Sequence, residues 1–287
     1  MLSGNCVHRR PLEVWRWVIC THLACLLGVA STAHAQFESY PRLSREQVVA
    51  VLGAATSGAR PDLYAKNISD LDLAGVDFRS ANLSAAVLNG AKLHGANLDG
   101  CNLTVSFLER ADLSGAFIRK ATLFSAQLAG SKLIGADLTG SRLIGDLRTA
   151  DLSNAKLVRM DAAADMRNQS MGLMRTNIVN ARAVGADFTD SDFSRSDFSF
   201  SDLSRARMVR TKLFRADFSG AVLKGADLTG ADLRDAVLID TDFAGANLTD
   251  ADLTGATFRG VQGLDTATTT RTRGLPNTTK SGTQEIQ

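Results

Sequence analysis

Residues 81–105 read ANLSA, AVLNG, AKLHG, ANLDG, CNLTV: five consecutive five-residue units, each with leucine at its centre and alanine or cysteine two places earlier. A period of five fits neither a helix, at 3.6, nor a strand, at 2. It fits a coil in which every fifth side chain points inward, so that four units close one square turn of about twenty residues. The central residue fills the interior, the small residue two places earlier lets the wall come close, and the other three positions face out.

The same register extends in both directions. From Pro61 it runs for seventeen units with Leu, Ile or Phe at every centre, from Leu63 to Leu143. It breaks at 146–149, returns around Leu152 and Leu157, is lost through 160–170, and resumes for eighteen units from Leu173 to Phe258. Coils stacked at a strand spacing of about 4.8 Å make each run on the order of four coils deep. Twenty-residue turns place Ile178, Phe198, Phe218, Leu238 and Phe258 in one inner column, expected to be solvent-free.

Units such as ADLSG (111–115), ADLTG (136–140), ANLSA (81–85) and ANLTD (246–250) are near-ideal copies of A(D/N)LXX. The chain thus resembles the pentapeptide-repeat family over about three quarters of its length. The resemblance implies an all-β fold, a right-handed quadrilateral β-helix. It also implies a protein that works through its surfaces and rarely builds a catalytic pocket. The departures, a four-residue insertion at 146–149 and the irregular segment 160–170, suggest two stacked blocks, 61–159 and 171–260, with a kink or bulging loop between them.

The ends read differently. His8, Arg9 and Arg10 precede an apolar stretch from about Trp17 to Ala30, and Ala33-His34-Ala35 offers small residues at both cleavage-recognition positions. Residues 1–35 therefore read as a signal peptide cleaved after Ala35, with an uncleaved anchor as the alternative, and the mature chain is expected in the periplasm or secreted. Its removal takes away Arg9, Arg10, Arg16 and Glu13 and leaves the remainder formally neutral. Within 36–60, Ser44-Arg-Glu-Gln47 ahead of Val48, Val49, Val51 and Leu52 is a capping box opening a short amphipathic helix, expected to close the first coil. Residues 261–287, rich in Thr, Ser and Gly, are expected to form a disordered tail, with Val261 to Leu264 closing the last coil.

Catalytic chemistry is scarcely represented. The expected mature chain has one histidine, His94, which points outward by its register, and one cysteine, Cys101, which occupies the small inward position. Neither a Ser/His/Asp or Cys/His constellation nor a metal cluster can be assembled from these, and no phosphate-binding glycine motif precedes a helix. No catalytic, metal or cofactor residue is therefore assigned. Asp187, Asp192, Asp197, Asp202 and Asp217 stand just before inward residues and read as solvated wall. The four Asn-x-Ser/Thr sequons, at Asn67, Asn82, Asn102 and Asn247, arise from the repeat idiom itself.

One surface feature stands out. Arg175, Arg195 and Arg215 are spaced by twenty and are expected to form a vertical column, with Arg205, Arg207, Arg210 and Lys212 on adjoining coils. Such a stripe suits an anionic partner, an acidic protein face or an envelope polymer, although Asp192, Asp197 and Asp217 lie close enough to offset it. Phe124, Ile134, Ile144 and Phe214 are expected to be exposed apolar contacts. The favoured function is an exported, non-enzymatic scaffold that binds a protein or an anionic envelope polymer. Nucleic acid is excluded as a partner because a neutral chain has no basic surface for phosphates. Two alternatives belong to other classes. Quinolone-resistance members of the resembled family mimic a DNA duplex and bind DNA gyrase. An enzyme would instead use Asp161, Asp165 and Arg167 in the 160–170 loop. The oligomeric state is left open.

Overall fold

The computed structural model describes residues 37, 39–54, 59–165 and 174–276. The expected signal peptide, residues 166–170 of the expected 160–170 loop and residues 277–287 lie outside the described residues. The chain divides into two compact units, 1–41 and 42–287. Of the first, Tyr40 donates its backbone N–H to Phe37 O at 3.0 Å, and the two rings meet edge to face with centroids 5.6 Å apart.

Most described residues of the second unit form stacked coils, and a single pentapeptide explains them. In Ala136-Asp137-Leu138-Thr139-Gly140, Ala136 and Leu138 are fully buried. Asp137 N–H donates to Ala116 O at 2.9 Å and Leu138 N–H to Lys156 O at 2.7 Å, which ties the unit to the coils on either side. Asp137 Oδ1 accepts both the Thr139 N–H, at 3.0 Å, and the Thr139 hydroxyl, at 2.5 Å. Gly140 then takes φ +69° and Ser141 N–H returns to Leu138 O at 3.0 Å, a turn whose third residue must be left-handed and so favours glycine.

The aspartates and asparagines ahead of the inward residues are therefore more than solvated wall. Their Oδ1 atoms cap the turns, as in Asn102 to Thr104 and Asp217 to Ser219, with hydroxyl contacts of 2.7 and 2.6 Å. A backbone N–H that points along the wall needs an acceptor, and a short Asx side chain reaches it two residues on. The sequons are the same device with asparagine. At several polar small inward positions the hydroxyl finds a main-chain oxygen one coil below: Thr211 donates to Phe188 O and Thr241 to Phe218 O, both at 2.9 Å.

Parallel bridges repeat every five residues and pair residues twenty apart, giving four paired sides per coil. The apparent insertion at 146–149 is in fact a deletion. Strands β1 (Thr122–Gln127) and β2 (Arg142–Asp146) align Leu123 with Leu143 but Gln127 with Asp146, so this coil is one residue short. The inward residues Leu143 and Leu147 are four apart, Gly145 is drawn against the coil below, and Ile144 is 1% exposed rather than a surface apolar residue.

The two-block division is also replaced by a single stack. Asp146 pairs with Asn177, Asp151 with Arg182, Lys156 with Asp187 and Asp161 with Asp192, each 31 residues apart. The eleven additional residues leave the wall after Ala164 and return before Thr176. Their base is closed by an antiparallel bridge in which Asp165 N–H donates to Met174 O at 3.0 Å. Coils below and above pair directly across these residues, so the ladder is not interrupted.

At the upper end, β3 (Val237–Ile239) pairs with β4 (Thr257–Arg259), and bridging continues beyond residue 260 through Gln262, Thr268 and Arg273. Residues 261–276 thus extend the coil where a disordered tail was expected. Their threonines supply what the apolar count lacked: Thr266 Oγ1 accepts Gly245 N–H at 3.1 Å, and the Thr272 hydroxyl donates to Leu248 O at 2.7 Å.

At the lower end, α1 (Arg45–Gly53) begins with the reciprocal Ser44–Gln47 capping box. It buries Val48 completely against the core, with Leu43, Val51 and Leu52 packed beside it. Leu43 N–H donates to Asn67 O at 3.0 Å and Arg45 Nε to Asp72 O at 2.9 Å, so the cap satisfies open carbonyls of the first coil.

The interior is a stack of four-residue layers, mostly leucine. Above the excursion it changes: Phe188 and Phe193 share a layer with Ile178 and Ala183, and Phe198 and Phe218 follow in the column above Ile178. Phe188, Phe193 and Phe198 meet at centroid distances of 5.3 to 6.0 Å, and Phe198 stacks parallel on Phe218 at 4.9 Å. Ala162 below Phe193 and Ala183 across from it provide the volume. The Ile178 column is solvent-free through Leu238, but Phe258 in the last coils is only partly buried.

Candidate functional site

The outward positions carry charge ladders that complement one another. On one side Asp72, Lys92, Asp112, Lys132, Asp151, Arg182 and Asp202 pair in turn, so the sign alternates from coil to coil. Opposite charges on neighbouring strands attract, and like charges would repel if a coil slipped by one turn. Many of the described arginines and lysines are absorbed in local pairs: Arg210 forks onto Asp190 at 2.7 and 2.9 Å, and Lys212 reaches Asp192 at 3.4 Å. The Arg210 fork holds the Asp190 carboxyl below its ordinary range.

The expected column of Arg175, Arg195 and Arg215 forms only in part. Ala164 N–H bonds to Ser194 O, which places Ala164, not Arg175, beneath Arg195 in the ladder. Arg175 stands at the returning foot of the excursion and binds the nearly buried Asp197 at 2.7 Å. Arg195 and Arg215 do stack on consecutive coils, and Arg215 N–H bonds to Arg234 O. Arg205 is exposed on the next corner but one, and Arg207 Nε donates to Thr189 Oγ1 at 3.1 Å.

What organises the stacked pair is Phe214, half-buried in the unit of Arg215. The guanidiniums of Arg215, Arg195 and Arg234 lie 5.0, 5.7 and 5.8 Å from its ring centroid. Cations over a ring face gain from the ring's quadrupole, which lets three like charges gather on one patch. Two of them are answered by carboxylates: Arg215 Nε contacts Asp235 Oδ2 at 3.2 Å, and Arg234 forks onto Asp232 with both contacts at 2.7 Å. The Arg234 fork holds Asp232 below the usual carboxylate range. Arg195 has no ion pair or side-chain hydrogen bond among the described residues.

Sequence reasoning found Arg195 and Arg215 by their spacing but missed Phe214 as their support and Arg234 as the third cation. The offset of twenty between Phe214 and Arg234 carried that signal. Of the other apolar candidates, Ile134 is exposed, and Phe124 is half-buried with Arg142 5.9 Å from its ring centroid. Phe200, 64% exposed at a left-handed corner, went unnoticed.

Among the described residues no group of His, Cys, Asp and Glu is arranged to hold a metal ion, and no helix is long and apolar enough to cross a membrane. His94 is exposed. Asp161 is a ladder residue 3.6 Å from Arg142, Asp165 closes the foot of the excursion, and Arg167 lies outside the described residues. A shallow depression near the upper end is lined by Asp232, Arg234, Asp250, Asp252 and Arg273, with Asp252 and Arg273 paired at 2.8 Å.

Cys101 is inward and 1% exposed, its Sγ 3.1 Å from Phe78 O. Burial pushes its thiol up to about 12 from an ordinary value of 9.0. In the native chain Cys101 is expected to resist thiol reagents at about pH 8 and to react once unfolded. The raised value has a definite sign for stability. The neutral thiol's contribution is complete below the unfolded value and is lost as pH climbs toward the folded one. Cys101→Ala should therefore flatten the fall in stability above about pH 9, as read by urea unfolding at several pH values; an unchanged alkaline slope would refute the assignment.

The family model for Pentapeptide repeats matches in eight copies, over residues 67–104, 108–140 and, in overlapping segments, 173–260. The chain belongs to the pentapeptide repeat family. Among solved structures, this pentapeptide repeat protein is similar to HetL of the cyanobacterium Nostoc sp. strain PCC 7120, a protein involved in heterocyst differentiation regulation. Identity is 26%, over 80% of this chain and 98% of that one, with a TM-score of 0.35. It is also similar to QnrB1, a plasmid-mediated fluoroquinolone resistance protein, at 19% identity over 77% of this chain and 88% of that one, TM-score 0.34. A pentapeptide repeat protein of the Arabidopsis thaliana thylakoid lumen matches at 26% identity over 50% of this chain and 68% of that one, TM-score 0.19. No curated protein matches the chain by sequence.

Proposed function

We propose that this pentapeptide repeat protein is an exported, non-enzymatic scaffold, a right-handed quadrilateral β-helix whose outer faces bind a protein partner. The observation that carries the reading is the disposition of its polar groups. Many wall carboxylates and hydroxyls are committed to turn caps and coil-to-coil pairs, while the half-buried Arg195 and the exposed Arg205 and Phe200 are left over at the corners. A wall built this way offers recognition at fixed pitch without a concave, water-excluding site for chemistry. The basic n-region, short apolar stretch and Ala33-His34-Ala35 support export.

The gyrase alternative is disfavoured by the charge ladders. A duplex mimic needs unbroken lines of negative charge, whereas here the side from Asp72 to Asp202 alternates in sign and the chain without residues 1–35 is formally neutral. The test is fractionation of cells expressing the full chain, with the mass of the product measured in each compartment. A species beginning at Gln36 outside the cytoplasm is expected, and envelope crosslinking should then recover a specific partner. An intact cytosolic chain would overturn export, and crosslinking that recovers nothing specific would overturn the scaffold reading.

A further inference from the structure

We propose that Arg195, held against Phe214 beside Arg215, is a receptor for a single carboxylate, supplied by an acidic peptide segment of a partner protein. The proposal rests on the scaffold reading and names the chemistry of one contact within it.

Local charge balance points to a monoanion. Arg215 is matched by Asp235, Arg234 by Asp232 and the nearby Lys212 by Asp192, which among the described residues leaves one positive charge of the patch unmatched, that of Arg195. A guanidinium resting on a ring keeps its N–H edge free, and a carboxylate accepts two parallel hydrogen bonds from such a fork. Arg215 touches Asp235 through Nε, so its terminal nitrogens remain for a second contact with the same group. A dianionic phosphate would call for a second unmatched cation, which the described residues of the patch do not supply.

The setting also fixes the geometry. Arg195 sits at φ +64° on a corner of the coil, and Arg195 N–H donates to Phe214 O at 2.8 Å, so receptor and platform are joined by the ladder itself. Ala164 beneath carries no side chain long enough to compete. A preorganised cation loses little freedom on binding, which distinguishes it from the exposed Arg205, which rests on no ring among the described residues.

The test uses the full purified chain titrated with a hexaglutamate peptide, with hexaglutamine and inorganic phosphate as comparison probes. Hexaglutamate is expected to bind and hexaglutamine not. Arg195→Gln and Phe214→Leu should each weaken binding about tenfold, and Arg195→Lys nearly as much because the fork is lost. Arg205→Gln should leave binding unchanged. Equal loss from Arg205→Gln, or full retention by Arg195→Lys, would show diffuse attraction and overturn the proposal, as would phosphate competing as well as the peptide. Thermal unfolding of each variant separates lost binding from lost fold. A natural partner still captured by Arg195→Gln would overturn this site while leaving the scaffold reading intact.

Discussion

Phe198→Ala is expected to lower stability by about 3–5 kcal/mol, among the largest effects available to one substitution in this chain. Phe198 is fully buried, stacks on Phe218 at 4.9 Å, and meets Phe188 and Phe193 edge-on or tilted at 6.0 and 5.6 Å. Deleting the ring removes transfer energy and leaves a cavity that rigid ladders on four sides cannot collapse into. Phe198→Leu, which restores the commonest inner residue, should cost far less. Each coil contacts only its neighbours, so the damage should be local. Amide exchange is expected to speed up across about residues 174–240 while 61–120 keep their protection. Uniform loss of protection along the whole coil would show that the stack unfolds as one unit and would refute that locality.

The phenylalanine cluster also shows how far the sequence could be read. The five-residue period placed Phe198 and Phe218 in one inner column, because the inner residue and its twenty-residue offset are properties of the chain alone. The same arithmetic failed wherever a coil departed from twenty. Between Leu143 and Leu147 the loss of one residue looks like a broken register, although the backbone closes the square with a shorter side. Between Ala164 and Thr176 eleven extra residues look like a boundary, although the coils pair across them. Counting by twenties through that excursion is what put Arg175 under Arg195. Beyond residue 260 the failure was compositional: apolar content fell, but threonine hydroxyls took over turn capping and kept the ladder paired. At the candidate site, spacing alone gave the arginine pair. The ring that supports it was hidden because Phe214 occupies an outward position, where an aromatic residue reads as incidental.

Gly145→Val is expected to cost about 3 kcal/mol, and Gly145→Ala a large part of that. Here the requirement is close approach: a Cβ on Gly145 would fall 2.3 Å from Ala126 O and 3.3 Å from the Ala126 N and C atoms, all backbone. The shortened side gives no slack, since Gly145 O also accepts Asn177 N–H at 2.9 Å and the Thr176 hydroxyl donates to Leu143 O at 2.9 Å. Relief must therefore come from displacing a coil, and the coil above is the one that carries the foot of the excursion. Gly95→Ala is the control. Gly95 adopts φ +64° with open space around its α-carbon, so alanine there meets only left-handed strain, of about 1 kcal/mol. Urea unfolding of the two alanine variants should place Gly145→Ala clearly below Gly95→Ala. The reverse order would mean that the short coil relaxes freely, and that the one-residue deletion places no constraint on the ladder that carries Asn177, Asp197 and the Arg175 contact above it.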